Sequence, residues 1–342
     1  MLETSPMMHI LVTQEFAREY GDQVRALVPG PCHLICFDPC TTTLPEGLDT
    51  ATVAYVSLDL MGGMDEKGAH PRLRAFCAAI EQAGSLKWLH TQAAGIDRPV
   101  YQNALRRGVM VTTSSGATSE TVAQTAITGM LAMARGVPTW VAAQANKVWA
   151  KPTREQWPRD IEGSHALVVG TGPIGQAIAR ILRAMNVQVT GMRRSTHPVP
   201  GFDRIVAFSE TDGVLERSDW VFLACPLTDQ TRGLVNEAFL ARLPDHAHLI
   251  NVARGEVIVD AAVQSALRSG TLAGYYSDVF AGEPLAEHSP WWDMPRTLIS
   301  PHLAASAAGY SARTANMFLE NLQRYVAREP LRNVVAAVSA RA

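Results

Sequence analysis

The chain lacks any apolar run approaching the roughly 18 residues that span a bilayer, and its first residues carry no basic stretch leading into an apolar one. Neither a membrane-spanning helix nor a secretory leader is expected. Charge is scarce as well: charged residues make up 18% of the 342 residues, and the formal net charge is −2. No global field favours nucleic acid or an acidic membrane surface, so neither is expected as a partner. The five cysteines are Cys32, Cys36, Cys40, Cys77 and Cys225. An odd number with no paired C-x-x-C spacing argues for reduced thiols and a cytoplasmic location. Cys32, Cys36 and Cys40 are evenly spaced, but they flank a strand-like segment, His33–Phe37, that would hold Cys32 and Cys36 apart; no metal site is expected. Low-complexity segments and internal repeats are missing too. What remains is a chain that is 47% hydrophobic, able to bury real cores and long enough for two domains of ordinary size.

Strand and helix signals alternate along it. Strands are predicted at His9–Thr13, His33–Phe37, Val53–Ser57, Lys87–Thr91 and Val109–Thr113, with helices at Phe16–Val28 and Arg72–Gln82 between them. The middle repeats the rhythm, with strands at Ala166–Val169, Val187–Gly191, Trp220–Ala224, Leu249–Val252, Tyr275–Val279 and Thr297–Ser300. Short strands alternating with helices imply βαβ units and parallel sheets, hence an α/β fold. A long apolar helix is predicted over Glu120–Arg135, capped by Thr118 or Ser119. Trp140–Asp160 shows no clear period, and a closing helix is predicted over Ala304–Ala327. Two long helices at the block junctions read as crossings between domains. They place one domain at 1–114 plus 304–342 and a dinucleotide-binding domain at 115–303.

The sharpest local signal is an apolar strand running from His165 into Gly170-x-Gly172-x-x-Gly175, with Thr171, Pro173 and Ile174 inside the loop. The glycine pattern alone is weak; after a strand and before a helix it reads as a dinucleotide fingerprint. Gly170 allows the tight turn, Gly172 lets backbone approach the pyrophosphate, and Gly175 lets helix and strand pack closely. In the helix that follows, Ile174, Ala177, Ile178, Ile181, Leu182 and Met185 hold one face. Pro173 suits its first turn, and Asn186 its left-handed end. An NAD-selective site places an acid at the end of the second strand to hold the ribose hydroxyls. Here Arg193, Arg194 and Ser195 stand there instead. A guanidinium pairs with a 2′-phosphate that an acid would repel, so NADP(H) is the expected cofactor, with NAD(H) as the alternative.

Three more segments carry polar residues where strands would present their carboxyl ends: Asn251–Gly255 with Arg254, Asp278–Leu285 with Glu283, and Pro301-His302. Ligands of open α/β sheets bind at such ends. With Gly170–Gly175 and the loop Ala93-Ala94-Gly95-Ile96-Asp97, these motifs, in this order over nearly the whole length, resemble the D-isomer-specific 2-hydroxyacid dehydrogenase family. The resemblance implies two Rossmann-like or flavodoxin-like domains, with the active site in the interdomain cleft. It also implies roles for single residues. Arg254 would fork onto the substrate carboxylate and keto oxygen. The backbone N–H groups of Ala94, Gly95 and Ile96 would hold the carboxylate from the other side. His302 would protonate the carbonyl oxygen as hydride arrives, and Glu283 would orient His302 and raise its pKa. Asp278 would sit near the nicotinamide, and Cys225, Pro226, Val252 and Ala253 would line the cofactor groove.

The sequence departs from the family pattern at Pro173, where many relatives carry arginine. Glu283 argues against formate dehydrogenases, which pair their histidine with glutamine. A phosphoglycerate enzyme is also disfavoured, since the chain stops soon after its last helix. Glyoxylate and hydroxypyruvate are the first substrate candidates by resemblance. A larger apolar 2-keto acid comes second, because the loop Ser57–Met64 offers Leu58, Met61 and Met64. Trp291-Trp292 precedes the histidine and could cap the pocket, and Trp140 or Trp149 could reach across a homodimer, since relatives use this region as a dimer arm. The competing function class is a nucleotide-sensing corepressor of the same fold.

Overall fold

A computed structural model describes residues 7–335 apart from 39, 42, 63–69 and 212. The chain divides into two compact units, Met1–Ala117 with Ala307–Ala342, and Thr118–Ser306.

In the first unit, β1 (Met8–Thr13), α1 (Gln14–Leu27), β2 (Cys32–Phe37), β3 (Val53–Val56), α2 (Pro71–Gln82), β4 (Trp88–Thr91), α3 (Pro99–Arg106) and β5 (Met110–Thr113) follow in order, and α9 (Tyr310–Val326) joins them from the far end of the chain. The sheet order is β2-β1-β3-β4-β5, every pairing parallel. Both faces are covered. Leu11, Phe37, Phe76 and Leu89 pack on the side of α2 and α3. Phe16, Tyr55, Trp88 and Phe318 fill the other side, where Phe318 stacks on Tyr55 with ring centroids 4.5 Å apart. That contact explains why α9 belongs here: burying one such aromatic side chain is worth about 1.5–3 kcal/mol. Gly63 and Met64, part of the predicted substrate loop, lie outside the described residues.

The second unit contains α4 (Ser119–Arg135), α5 (Val137–Ala145), β6 (His165–Val169), α6 (Pro173–Ala184), β7 (Gln188–Arg193), β8 (Arg204–Ala207), β9 (Trp220–Leu223), α7 (Glu237–Leu240), β10 (His248–Asn251), α8 (Asp260–Ser269), β11 (Gly274–Ser277) and β12 (Thr297–Ile299). Its sheet order, β12-β11-β10-β9-β6-β7-β8, is again wholly parallel. The chain winds outward from β6 through β7 to β8, then returns to lay β9 on the other side of β6. That reversal between β6 and β9 is a topological switch point, where doubly wound sheets open a crevice at their carboxyl ends.

Differences from the sequence expectations have local causes. β8 was not foreseen: it has four residues, and only Val206 is fully buried, so it shows no period. Thr118 starts α4 without a side-chain cap, and the Ser119 hydroxyl is buried without a partner, so neither caps as expected. The closing helix begins at Tyr310 rather than Ala304; the N–H groups of Leu303 and Ala304 lie in the preceding turn and donate to the Asp278 carboxylate. α5 extends helix into the segment read as aperiodic, and none of its residues is buried. Asn186 ends α6 in the left-handed region, φ 58°.

Candidate active site

The glycine loop occupies the β6 side of the switch point, and its glycines answer three different constraints. Gly170 has φ 99°, and a Cβ there would lie 2.5 Å from the Ala224 carbonyl oxygen beyond β9. A Cβ on Gly175 would lie 1.9 Å from the Gly170 carbonyl oxygen, so only glycine lets α6 pack against the turn. A Cβ on Gly172 would meet nothing within 4 Å. That opening lies at the N-terminus of α6, whose first residue is Pro173 and which has no side-chain cap. Backbone donors and helix dipole are thus left for an anion. Residues Gly170–Gly175 include no cation to add to these donors. Across the switch point, Cys225 is 6% exposed, and the loop beyond it is held by Thr231, whose hydroxyl donates to the Pro226 carbonyl (2.7 Å) and accepts from the Thr228 N–H (2.8 Å).

Arg193 ends β7, paired in register with Ala207, and Arg194 and Ser195 follow. Neither arginine has an ion pair or side-chain hydrogen bond among the described residues, so no structural duty to the fold competes with ligand binding.

The charged residues come from three strand ends. Beyond β10, the buried Asn251 amide ties the next turn, accepting from the Ala253 N–H (3.0 Å) and donating to the Arg254 carbonyl (3.1 Å). Val252 and Ala253 are buried, and Arg254 is half-buried. Gly255 then lets the loop after β11 cross directly over it: a Cβ would lie 2.0 Å from the Phe280 carbonyl carbon. In that second loop Glu283 accepts from the Phe280 N–H through Oε1 (2.9 Å) and meets His302 Nδ1 through Oε2 (2.7 Å). The pair is partly open to solvent, with side chains 50% and 34% exposed for His302 and Glu283. Arg254 is close enough for its charge to act on both. The hydrogen bond to Glu283 raises the His302 pKa above its ordinary value, against burial. Burial would lift the Glu283 carboxyl, but hydrogen bonds from His302 and the Phe280 N–H outweigh it and hold the group ionised. Protonated imidazole and carboxylate therefore support each other.

His302 itself sits in the left-handed region, φ 50°, a conformation that costs a non-glycine residue about 1–2 kcal/mol. Asp278 holds it there. The His302 N–H donates to the Asp278 carbonyl (2.8 Å). The Asp278 carboxylate, 2% exposed, accepts from Ser300 Oγ (2.6 Å), the Leu303 N–H (2.9 Å) and the Ala304 N–H (3.0 Å). Asp278, expected beside the nicotinamide, thus has both carboxylate oxygens committed to the turn that carries His302. Asn251, Asp278 and Ser300 escaped the sequence reading as positioning groups, since their partners depend on strand register. Trp291 and Trp292 separate as well: Trp291 is a 3% exposed core residue packed on Tyr275 and Phe280, and Trp292 is 53% exposed.

Ala94, Gly95 and Ile96 lie in the first unit, in the loop after β4. The strand end before that loop is fixed by buried polar groups. Gln92 accepts from the Tyr310 hydroxyl (2.7 Å), the Ala93 N–H donates to Thr91 Oγ1 (3.2 Å), and Gln102 donates to the Ile96 carbonyl (3.1 Å).

The D-isomer specific 2-hydroxyacid dehydrogenase NAD binding domain matches residues 127–304, more than half of the chain. The protein belongs to the D-isomer-specific 2-hydroxyacid dehydrogenase family. It is an oxidoreductase with an NAD-binding, Rossmann-type domain. It is 31% identical over 255 residues to a glyoxylate reductase of Thermofilum pendens (71% of this chain, 73% of the relative). Identity to the human glyoxylate reductase/hydroxypyruvate reductase is 30% over 248 residues (71% and 74%). A D-isomer specific 2-hydroxyacid dehydrogenase from Xanthobacter autotrophicus, solved with NADPH and MES, superposes with a TM-score of 0.73 at 29% identity, covering 96% of this chain and 98% of that one. No helix among the described residues is long and apolar enough to cross a membrane.

Proposed function

We propose that this dehydrogenase reduces a small 2-keto acid to the D-2-hydroxy acid with NADPH, glyoxylate and hydroxypyruvate being the first candidates. The observation that carries the reading is the 2.7 Å His302–Glu283 hydrogen bond with Arg254 beside it: a proton donor whose protonated form the carboxylate favours, next to a cation that a carboxylate substrate needs. When bound, the reduced nicotinamide supplies the hydride. Arg254 forks onto the substrate carboxylate and keto oxygen, a planar task suited to guanidinium. Glu283 occupies Nδ1 of His302, so Nε2 is the nitrogen that gives its proton to the keto oxygen and takes one back in the reverse direction. The negative charge of Glu283 stabilises the imidazolium before transfer.

The remaining residues bind and orient. The backbone N–H groups of Ala94, Gly95 and Ile96 hold the carboxylate. The loop Gly170–Gly175 takes the pyrophosphate, while Cys225, Pro226, Val252 and Ala253 line the groove and Asp278 holds the catalytic turn. Arg193, Arg194 and Ser195 take the 2′-phosphate, a role supported by the two arginines having no ion pair among the described residues. A second copy of the chain covers the apolar arm at Trp140 and Trp149, which are 53% and 96% exposed.

The test is a panel of 2-keto acids assayed with NADPH and with NADH. Consumption of NADPH with glyoxylate or hydroxypyruvate, and a product of D configuration where it is chiral, is the expected result. Failure to turn over any keto acid would favour the nucleotide-sensing alternative, and a higher kcat/KM with NADH would remove the role given to Arg193 and Arg194.

A further inference from the structure

The catalytic turn is tied to a residue that no part of the proposed chemistry uses. Tyr276 lies on β11, 4% exposed, and its hydroxyl is 2.7 Å from Ser300 Oγ. Ser300 Oγ donates its only proton to Asp278 Oδ1 (2.6 Å), so it accepts from Tyr276, and the chain runs in one direction: Tyr276 to Ser300 to Asp278. Burial pushes the Tyr276 phenol up to about 12, which keeps it a donor throughout the physiological range. The ring is fixed in turn by α4: a Cβ on Gly129 would lie 2.4 Å from the Tyr276 ring, so the helix presents bare backbone where the tyrosine packs. Every other ligand of Asp278 is backbone of residues 303 and 304. The Tyr276–Ser300 arm is therefore the only side-chain support of that carboxylate among the described residues.

We propose that Tyr276 is a positioning residue for the proton donor: its hydroxyl anchors Ser300, Ser300 anchors the Asp278 carboxylate, and that carboxylate holds the strained backbone turn that presents His302 to Glu283. The inference rests on the reading of His302 as the proton donor. The chain matters because the His302 main chain is not in a relaxed conformation, φ 50°; a left-handed residue persists only when its surroundings over-determine it. Loosening the carboxylate lets the turn relax and lengthens the 2.7 Å bond to Glu283. The charged groups that face His302 are Glu283, Asp278 and Arg254. Of these, the hydrogen-bonded Glu283 is the main support of the protonated ring. Relaxation therefore lowers the pH at which His302 loses its proton.

The experiment uses Tyr276→Phe, which keeps the ring against Gly129 and removes only the hydroxyl. Ser300→Ala and the conservative Ser300→Thr accompany it. In the full-length protein, NMR titration of the histidine imidazoles, with His302 assigned by the signal lost in His302→Ala, reads the proton without requiring turnover. Tyr276→Phe and Ser300→Ala lower the His302 midpoint, and Ser300→Thr restores it. In keto acid reduction the alkaline limb of kcat/KM moves to lower pH, and kcat falls roughly three- to tenfold, the effect of losing one hydrogen bond, with KM for the keto acid changed less than kcat. A His302 midpoint unmoved in both Tyr276→Phe and Ser300→Ala overturns the proposal, whatever happens to activity, and leaves the role of His302 itself intact. Absence of any keto acid turnover in the unmodified protein would instead count against His302 as a donor, while the titration still decides whether Tyr276 positions it.

Discussion

The two parallel sheets share a construction rule but finish differently at their carboxyl ends. The five-stranded sheet ends largely in uncharged hydrogen-bonding groups that satisfy one another: Thr13 with Ser57 (3.1 Å), Thr91 with Tyr101 (2.8 Å), Gln92 with Tyr310 (2.7 Å). The seven-stranded sheet ends in Arg254, Asp278, Glu283 and His302, charges that act on one another. Their histidines make the contrast plain. In the first unit His90 is fully buried between Thr112 (2.7 Å) and Ser114 (3.0 Å), and burial drives its pKa down to about 3. In the second, Glu283 drives that of His302 up. The same side chain is pushed toward its neutral form in one sheet and toward its protonated form in the other. The difference lies in burial and in neighbours: His90 is desolvated among hydroxyls that accept either tautomer, whereas the half-exposed His302 meets a carboxylate that prefers the imidazolium.

The largest test of this contrast removes the charge from the second sheet. His302→Ala and Arg254→Ala each lower kcat/KM for keto acid reduction by about 10²–10⁴, the range for a positioned acid or a fixed cation. His90→Gln, by contrast, leaves kcat within about threefold of the unmodified enzyme, a difference of well under 1 kcal/mol. A loss of less than tenfold on removing His302 or Arg254 would break the assignment of chemistry to the second sheet.

A smaller effect is expected at the end of β7. Replacing both Arg193 and Arg194 with alanine removes one or two charge-assisted hydrogen bonds to a 2′-phosphate, at about 1.5–3 kcal/mol each. kcat/KM with NADPH then falls by at least about tenfold, and kcat/KM with NADH changes little. Equal losses with both cofactors would show that the arginines serve the fold, as the polar groups of the first sheet do.

How much of this was legible in the sequence follows from the range of each interaction. The loop Gly170–Gly175 was readable because its constraints are local: a positive φ at Gly170 and a backbone contact five residues away at Gly175. The eleven strands predicted from alternation are present to within one or two residues at most of their ends, since both faces of each sheet are buried and the strands read as apolar runs. β8 is short and sparsely buried and left no such trace. The 300–304 turn was not readable. Asp278 reaches Ser300, Leu303 and Ala304 over 22–26 residues of sequence, through the parallel register of β11 and β12. Nothing in Ser300-Pro301-His302 as a string announces a left-handed histidine.

The smallest test concerns the first sheet, and there it is stability rather than catalysis that changes. The folded-state pKa of His90, about 3, lies below the roughly 6.5 of an unfolded histidine. Between those values the unfolded chain binds a proton that the folded chain refuses. Stability therefore rises with pH across that window: the contribution of His90 is fully present above about pH 6.5 and is lost as the pH falls. Linkage puts the loss between pH 7 and pH 5 at about 2 kcal/mol. A glutamine at this position can offer both a donor and an acceptor to Thr112 and Ser114 without titrating, so His90→Gln loses about that much less stability over the same interval in urea unfolding. His302 works in the opposite sense, its raised pKa giving a contribution that is present at low pH and fades as the pH rises through it. An unmodified protein and a His90→Gln variant with the same acid dependence would mean that the buried histidine is not what sensitises the first unit to acid, and would leave the neutral-against-charged contrast between the two sheets resting on His302 alone.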